Sequence, residues 1–510
     1  MGGFKHILTD ARCYDLLNHQ AEVNSSAPAW IERAGNKKQF LSWRQLSGLV
    51  SSMAHWLEAH GVTAQSLVVQ WAPNSLEWVL IDLACSAINA IHAPLDPRMP
   101  LSSVEDLCKA LAPSLCLASP ERAKGLGFVP IPHWHELPKE LQLFRGHPFQ
   151  TEDASLILFT SGTTNQPRGV VLSHSNLISN AMAKLDAMPQ YCSDHRLNLL
   201  TFAHAYARTC ELTAWLLSGC CLETVSSIDE LFNCLPRSQP TLLNAVPAVY
   251  QQLAERWQDL GGDPPQLHSL LGGRIRQLAS GGAPLSASLR SSFAQAGIPI
   301  YQGYGLTEAG PVVCSNRSPS GSIPPILDGV GPPIRNTEVR LNESKTLFVR
   351  GPGVMKRYWQ DREATHRHIR DSWLDTGDIA ESNRNGSFVI LGRTDDILIL
   401  STGYKIMPQL VEKSVEELDP IEECILVGQG RRYAKLLLRS PLKNIPIDYV
   451  IGHLLRQHPN TLRHLEGFYI VGSDWPEGLE LTNFKGGKRR SAFETNLAKI
   501  TQYLTLHRFF

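Results

Sequence analysis

Apolar residues recur along much of the chain at helical spacing, and short runs of β-branched residues and leucine separate those stretches. From 44 to 60, Leu46, Val50, Met53 and Leu57 fall on one side of a helix that Gly61 stops. The strand-like SLVVQWA then leads into a helix over 75–91. Ser75 can cap it, and Leu76, Val79, Leu80, Leu83, Ala84, Ala87 and Ile88 form its apolar face. The same order returns later. TLLNAV runs into a helix with Pro247 at its first position, where a missing N–H removes no bond. IRQLA passes through SGGAP into a helix ended by Gly297, and IPIYQ leads into GYGLTEAG. Repeated strand–helix units predict largely parallel sheets covered by helices, with ligands bound beyond the carboxyl ends of the strands.

After about residue 325 the texture changes. DGVGPPIRNTEVRL, KTLFVRGPGVM and GSFVILGR read as short strands between Gly, Pro and Asn turns. From 395 onward come DILIL, a helix opened by Pro408, EECILVG, AKLLLR, a helix near 446–457 and GFYIVG. The expected fold is α/β: a large N-terminal domain (1–394) of helix-covered, mostly parallel sheets with a small β-barrel-like subdomain, then a small α+β domain (395–510).

Composition adds exclusions. Lys plus Arg equals Asp plus Glu at 48 each, so no net field draws the chain to nucleic acid or an anionic membrane. No stretch reaches the roughly 18 uninterrupted apolar residues that a spanning helix needs. The N-terminal MGGFKHILTDARCY has no apolar signal core. Eleven cysteines without CxxC spacing fit reduced, buried thiols, with Cys220 and Cys221 packing rather than forming a redox pair. A cytoplasmic protein is expected. HWH at 133–135 and HRH at 366–368 lack partners at zinc spacing.

One stretch carries chemistry on its face: LILFTSGTTNQPRGVVLSHSNL, residues 156–177. A strand ending at Thr160 delivers Ser161, Gly162, Thr163 and Thr164 into a turn whose N–H groups and hydroxyls suit phosphate oxygens. Arg168 adds a guanidinium fork, Pro167 stiffens the return and Gly169 relieves crowding. The GxxxxGK[ST] spacing of a P-loop is absent, and VVLS separates the turn from the next helix, so the helix dipole is not the main holder of an anion.

FTSGTTNQPRGVVLSH resembles the signature loop of the adenylate-forming superfamily, which includes acyl-CoA synthetases and peptide-synthetase adenylation domains. LASGGAPL (278–285), YQGYGLTEAG (301–310), WLDTGDIA (373–380), LGRTDDILILSTGYKIMP (391–408) and LTNFKGGKRR (481–490) match further family motifs in order. The resemblance implies an acid–thiol ligase: ATP and Mg²⁺ convert a carboxylate to an acyl adenylate, and coenzyme A displaces AMP. It further implies that residues 160–168 hold the β- and γ-phosphates, with Thr164 and Glu308 at the magnesium. Thr307 would meet the α-phosphate. Tyr304 and Gly305 would lie along the adenine, and Gly281, Gly282 and Ala283 beside nucleotide and acyl group. Asp378 and Arg393 would reach the ribose, and Asp395 would be the hinge of a mobile C-terminal domain. Gly403 and Lys405 would enter for the thioester step, and the catalytic lysine of the C-terminal motif aligns with either Lys485 or Lys488.

Two departures stand out: Asn165 and Arg168 replace the family's usual Gly and Lys, which predicts altered nucleotide affinity or rate rather than lost chemistry. TFAHAYARTCEL (201–212) resembles the acyl-pocket motif of long-chain enzymes, placing His204, Arg208 and Thr209 at the substrate. Ala203 stands where amino-acid-activating enzymes carry an Asp, and a substrate ammonium left unpaired in a buried site is expensive. AGPVV after Glu308 is small and apolar. A fatty acid is the expected substrate, with medium-chain or aryl acids next. Two alternatives remain: an acyl-AMP ligase loading an acyl or peptidyl carrier protein, and a weakened enzyme that only binds lipid or nucleotide.

Overall fold

A computed structural model of the chain describes residues 10–34, 37–124, 127–138, 143–160, 167–317, 329–383, 386–442, 444–472, 490–501 and 504–509. Contacts divide it into two compact units. One comprises Met1–Val339, Phe348–Asp375 and Asn385–Ser387, and the other Arg340–Leu347, Thr376–Arg384 and Phe388–Phe510. Short strands before 395 therefore pack with the C-terminal part of the chain.

The first unit is built on two sheets. One runs in the order Val312–Ser315, Ile300–Gly305, Gln277–Ser280, Leu242–Ala245, His195–Asn198, Cys221–Thr224, Pro28–Ala34 and Lys37–Ser42. Its interior pairs are parallel and the outermost pair at each end is antiparallel. The second runs Arg357–Tyr358, Arg168–Ser173, Ala154–Thr160, Ile91–Leu95, Leu67–Trp71, Leu115–Ala118 and Val129–Pro130. The expected strand–helix units thus close into mostly parallel sheets, as their spacing implied.

Helices Cys13–Val23, Trp43–Ala59 and Leu76–Ile88 share one continuous core with Trp30, Leu41 and Leu222 of the first sheet and Val68, Leu115 and Leu117 of the second. A helix packed among two sheets has no wet face. Leu76–Ile88 accordingly buries every residue except Glu77, where an amphipathic helix was expected. Its Asp82 can be interior because a cation is supplied to it, as described below. Ser75 caps this helix by accepting from the Trp78 N–H at 3.2 Å, and Asn89 ends it in the left-handed region at φ 61°. On the outer faces, helices Pro247–Asp259 and Ala287–Gln295 cover the first sheet, and Leu101–Leu111 the second.

The second unit holds a four-stranded sheet, Glu423–Val427, Ala434–Arg439, Leu465–Gly472 and His507–Arg508, with helices Pro408–Val415 and Ile447–Gln457 packed into its core. Helix Arg490–Thr501 covers it through Phe493, Leu497 and Ile500. No helix among the described residues is long and apolar enough to cross a membrane. All eleven cysteines are free. Not all are buried as expected: Cys192 is exposed, and Cys108 and Cys116 are half-buried.

Candidate functional site

The described ends of the signature hairpin are Thr160 and Arg168, which stand directly opposite one another in the antiparallel pair of Ala154–Thr160 and Arg168–Ser173. Ser161, Gly162, Thr163, Thr164 and Asn165 lie outside the described residues. Gly169 is required by packing: a Cβ there would sit 3.0 Å from Ile157 and 3.2 Å from Trp359. Arg168 is half-buried, and among the described residues no carboxylate pairs with it. Its guanidinium carbon lies 5.8 Å from the centre of the Tyr358 ring.

Strand Ile300–Gly305 ends in the turn that carries Leu306, Thr307 and Glu308. A Cβ at Gly305 would run into the Pro311 carbonyl, so only glycine allows this close return of the backbone. Helix His174–Ala187 clamps the turn from below. Asn180 donates to the carbonyls of Ala309 (3.2 Å) and Val312 (2.8 Å) and accepts from the Val312 N–H (3.1 Å). One turn earlier, Asn176 donates to the carbonyls of Pro352 and Val354 at 2.7 and 3.0 Å. The Met355 N–H then closes onto the Glu308 carbonyl at 2.8 Å. The backbone around Glu308 is thus fixed from three sides.

The half-buried Glu308 side chain has one described polar partner, the Tyr358 hydroxyl, which donates to Oε1 at 3.0 Å. Among the described residues no cation pairs with it, and no cluster of three or more His, Cys, Asp or Glu could cage a metal by itself. A single carboxylate beside a phosphate-binding loop is how magnesium is commonly held, with phosphate oxygens and water completing its shell. Glu308 fits that role. Tyr304 and Thr307 are half-buried on the same strand end, and Gly281 and Gly282 follow the neighbouring strand Gln277–Ser280. Gly282 has φ +83° with open space at its Cβ position, whereas a Cβ at Gly281 would lie 3.1 Å from the Tyr206 ring. Within the first unit, Tyr358 links the two stretches: its hydroxyl is on Glu308 of the 304–308 turn and its ring lies under Arg168, which stands opposite Thr160 in the hairpin.

The expected acyl-pocket residues are placed differently. Arg208 is 2% exposed and saturated: Nε donates to Asp82 at 2.8 Å, and Nη1 donates to Thr213 at 2.7 Å. Its Nη2 lies 2.8 Å from the other Asp82 oxygen. His92 Nδ1 meets the same carboxylate at 2.9 Å and its Nε2 meets Gln70 at 2.8 Å. Burial works to raise the Asp82 carboxyl, but Arg208 and His92 outweigh it and hold it below its usual value. Arg208 is thus a core ion pair whose donors the fold itself engages. Thr209 is likewise fully buried, donating to the Gly310 carbonyl at 3.1 Å. Both sit in a π-helical turn, Arg208–Thr213, a widened geometry that periodicity does not reveal. His204 is half-buried, with Nε2 2.9 Å from Asp96.

In the second unit, Asp378 and Arg393 are register partners on adjacent antiparallel strands, with Nη1 3.4 Å from Oδ1. The Asp378 N–H donates to the Thr376 hydroxyl at 3.0 Å. Arg393 Nε donates to Asp395 at 3.1 Å. Burial lowers the guanidinium's pKa, and Asp378 and Asp395 together raise it above its ordinary value. Gly403 takes φ +82° in an exposed turn, and Lys405 is exposed on the short strand after it. Lys485 and Lys488 lie outside the described residues. Arg490, the first described residue after them, is anchored on the buried Glu412 at 2.5 Å.

Tyr358 was missed in the sequence. KRYWQ offered no motif chemistry of its own, and only the pairing of Arg357–Tyr358 with the signature hairpin brings the phenol to Glu308.

This arrangement has known counterparts. The profile of the AMP-binding enzyme family matches residues 17–359, and that of the AMP-binding enzyme C-terminal domain matches 395–448. A feruloyl-CoA synthase of Amycolatopsis sp is 29% identical over 408 residues, covering 76% of this chain and 80% of that protein. A long-chain-fatty-acid–CoA ligase of Mycobacterium bovis is 25% identical, covering 74% and 73%. Among solved structures, ATP-bound MatB from Rhodopseudomonas palustris superposes with a TM-score of 0.82 at 22% identity, over 96% of this chain and 99% of that one. The O-succinylbenzoate coenzyme A synthetase of Bacillus subtilis, in complex with AMP, gives 0.79 at 20% identity over 95% and 98%. With a family profile that spans 17–359 and relatives named as coenzyme A ligases and synthetases, the chain belongs to the AMP-binding enzyme family and is an adenylate-forming ligase of the acyl-CoA synthetase type.

Proposed function

We propose that the chain uses Mg·ATP to convert a hydrophobic carboxylic acid, in first place a fatty acid, to its acyl adenylate and then to the coenzyme A thioester. The observation that carries the site assignment is Glu308: a half-exposed carboxylate, fixed by one neutral donor and unpaired by any described cation, beside the arginine of the signature hairpin. Magnesium held there would offset charge on the phosphates as the acid attacks the α-phosphorus. Arg168, Thr160 and the loop between them would grip the triphosphate tail. Thr307 would meet the α-phosphate and Tyr304 the adenine. Asp378, beside Arg393, would accept from the ribose hydroxyls.

The substrate reading rests on what surrounds Glu308. Ala309 and Val313 are buried and apolar, Gly310 leaves no side chain there, and Ala203 supplies no anion for a substrate ammonium. The Tyr206 ring packed on Gly281 favours a second reading, an aryl acid lying along an aromatic wall. A feruloyl-CoA synthase among the relatives is in line with it. Coenzyme A is the proposed acceptor. A carrier-protein arm presents the same thiol, and one relative is named a long-chain-fatty-acid–[acyl-carrier-protein] ligase. A cytoplasmic location fits the eleven free thiols.

Pyrophosphate release with Mg·ATP is to be measured against acids from acetate to palmitate and against cinnamate and benzoate derivatives, with and without coenzyme A. A fatty acid should give the highest kcat/KM, and AMP should accumulate fully only with coenzyme A. Release with no acid in the panel would sink the substrate reading. Glu308→Gln should lower release by about 10³-fold or more, the scale of removing one electrostatic stabiliser of a transition state. Normal release by that variant would sink the site.

The proposed domains are 1–394 and 395–510, with rotation about Asp395 between the two half-reactions. Asp395→Pro would fix φ at the hinge. It should spare adenylation while slowing thioester formation, and equal loss of both steps would argue against rotation.

A further inference from the structure

Tyr358 stands between the two charged side chains of the first unit's site. Its hydroxyl is on Glu308 at 3.0 Å, and the Arg168 guanidinium lies 5.8 Å from its ring centre. Its own position is over-determined. Tyr358 pairs with Val170 in the sheet, its N–H donates to the Thr365 hydroxyl at 3.0 Å, and His368 meets its ring edge-on at 5.6 Å. The next residue, Trp359, donates its N–H to the Gly169 carbonyl at 2.7 Å, beside Arg168 itself. Only 3% of Tyr358 is exposed.

We propose that Tyr358 is a positioning residue for adenylation: its phenol turns one oxygen of Glu308 inward so that the other faces Mg·ATP, while its ring sets the height of Arg168 at the mouth of the hairpin. The inference rests on the assignment of Glu308 and Arg168 to Mg·ATP and names what aims them.

A phenol suits this place for a physical reason. A lysine or arginine donor would orient Glu308 equally well, but it would neutralise the charge that attracts the metal. A neutral O–H fixes the carboxylate and leaves its charge in place. On its other side, a guanidinium held over a ring is located without spending its in-plane N–H donors, which remain directed at phosphate. One side chain thereby sets the spacing of an anion and a cation whose ligands are the two ends of the same magnesium–triphosphate unit.

Two substitutions separate the two contacts. Tyr358→Phe removes the hydrogen bond and keeps the ring, and Tyr358→Leu removes both. Purified full-length variants are compared by melting temperature and then by two binding readouts without turnover. One is the paramagnetic titration of Mn²⁺ in the presence of ATP, and the other is calorimetric binding of ATP in a chelator. The loss of one hydrogen bond to a charged group predicts that Phe weakens Mn²⁺ binding about tenfold or more and leaves metal-free ATP binding unchanged. Leu should weaken both. The Mg²⁺ concentration for half-maximal pyrophosphate release should rise in parallel.

Wild-type Mn²⁺ affinity in the Phe variant would overturn the proposal. So would Phe and Leu variants that differ from wild type only in melting temperature, since that is the signature of packing alone. Glu308→Gln, measured alongside, keeps the two readings apart. If it binds Mn²⁺·ATP normally, the magnesium assignment itself is wrong. If it is impaired and Tyr358→Phe is not, only the role of Tyr358 falls.

Discussion

Glu308 and Asp82 are carboxylates of one packing unit, and they differ in how far their partners satisfy them. Asp82 is buried and accepts from Arg208 and His92, with Arg208 spread over both of its oxygens. Glu308 is half-exposed, with a neutral donor on one oxygen and no described cation on either. A buried charge whose capacity is met by the fold is scaffold, because any ligand would have to break those contacts. A charge that the fold orients but does not neutralise is ready for a ligand. By this measure Arg208, expected at the acyl group, goes with the scaffold, whereas Glu308 and Arg168, expected at the metal and the phosphates, remain candidates for the site.

The largest expected effect tests the two carboxylates against each other. Glu308→Gln should cost about 10³-fold in pyrophosphate release with an unchanged melting temperature. Asp82→Asn should show the reverse: Arg208 becomes a buried cation without a counter-charge, which costs about 3–5 kcal/mol of stability. Its kcat/KM per folded molecule should stay close to wild type. A stable Asp82→Asn protein with altered acid specificity would return Arg208 to the pocket and break the distinction.

A smaller effect is expected in the second unit, where Asp378 is an intermediate case. Arg393 touches it at the long distance of 3.4 Å. At that distance the guanidinium supplies charge to the carboxylate without a short, bidentate grip. Asp378→Asn should raise the KM for ATP about tenfold, the worth of about one charge-assisted hydrogen bond. The KM for 2′-deoxy-ATP should rise less than that for ATP. Equal changes for both nucleotides would show that Asp378 does not reach the ribose.

The strand–helix order and the parallel sheets were legible because periodicity reports burial directly: Leu46, Val50, Met53 and Leu57 are all fully buried on one helix. Glu308 and Arg168 stand out in the sequence as candidates because ordered motifs name positions. Saturation was not legible, since it depends on residues far apart in sequence. Arg208 and Asp82 are 126 positions apart, and Tyr358 and Glu308 are 50 apart. The π-helical turn at Arg208–Thr213 was also hidden, because one extra residue per turn leaves no periodic trace over six residues.

Lys184 makes the comparison sharper because it is buried like Asp82 and, among the described residues, unsatisfied: it is 4% exposed and its Nζ has no hydrogen-bond partner. Burial, helped by Arg196, brings its pKa down from 10.5 to about 8, against the opposing pull of Glu211, Cys210 and Cys220. If incomplete satisfaction always marked a site, Lys184 would be one. Yet Glu211, the carboxylate whose charge acts on it, is already held by Arg196 at 2.6 Å and by Asn244, so a charged Lys184 is simply a strain on the fold. The unfolded chain keeps its proton up to about pH 10.4 and the folded chain loses it near 8. Between those values the unfolded state binds more protons, so the contribution of Lys184 to stability improves as pH rises and is least favourable at pH 7. Lys184→Met, which keeps the volume and removes the charge, should therefore raise the melting temperature at pH 7. The gain should shrink steadily from pH 8 to 10, with adenylation unchanged throughout. A variant less stable than wild type at pH 7, or one that loses acid binding, would make Lys184 part of the site, and exposure rather than saturation would then be the better guide.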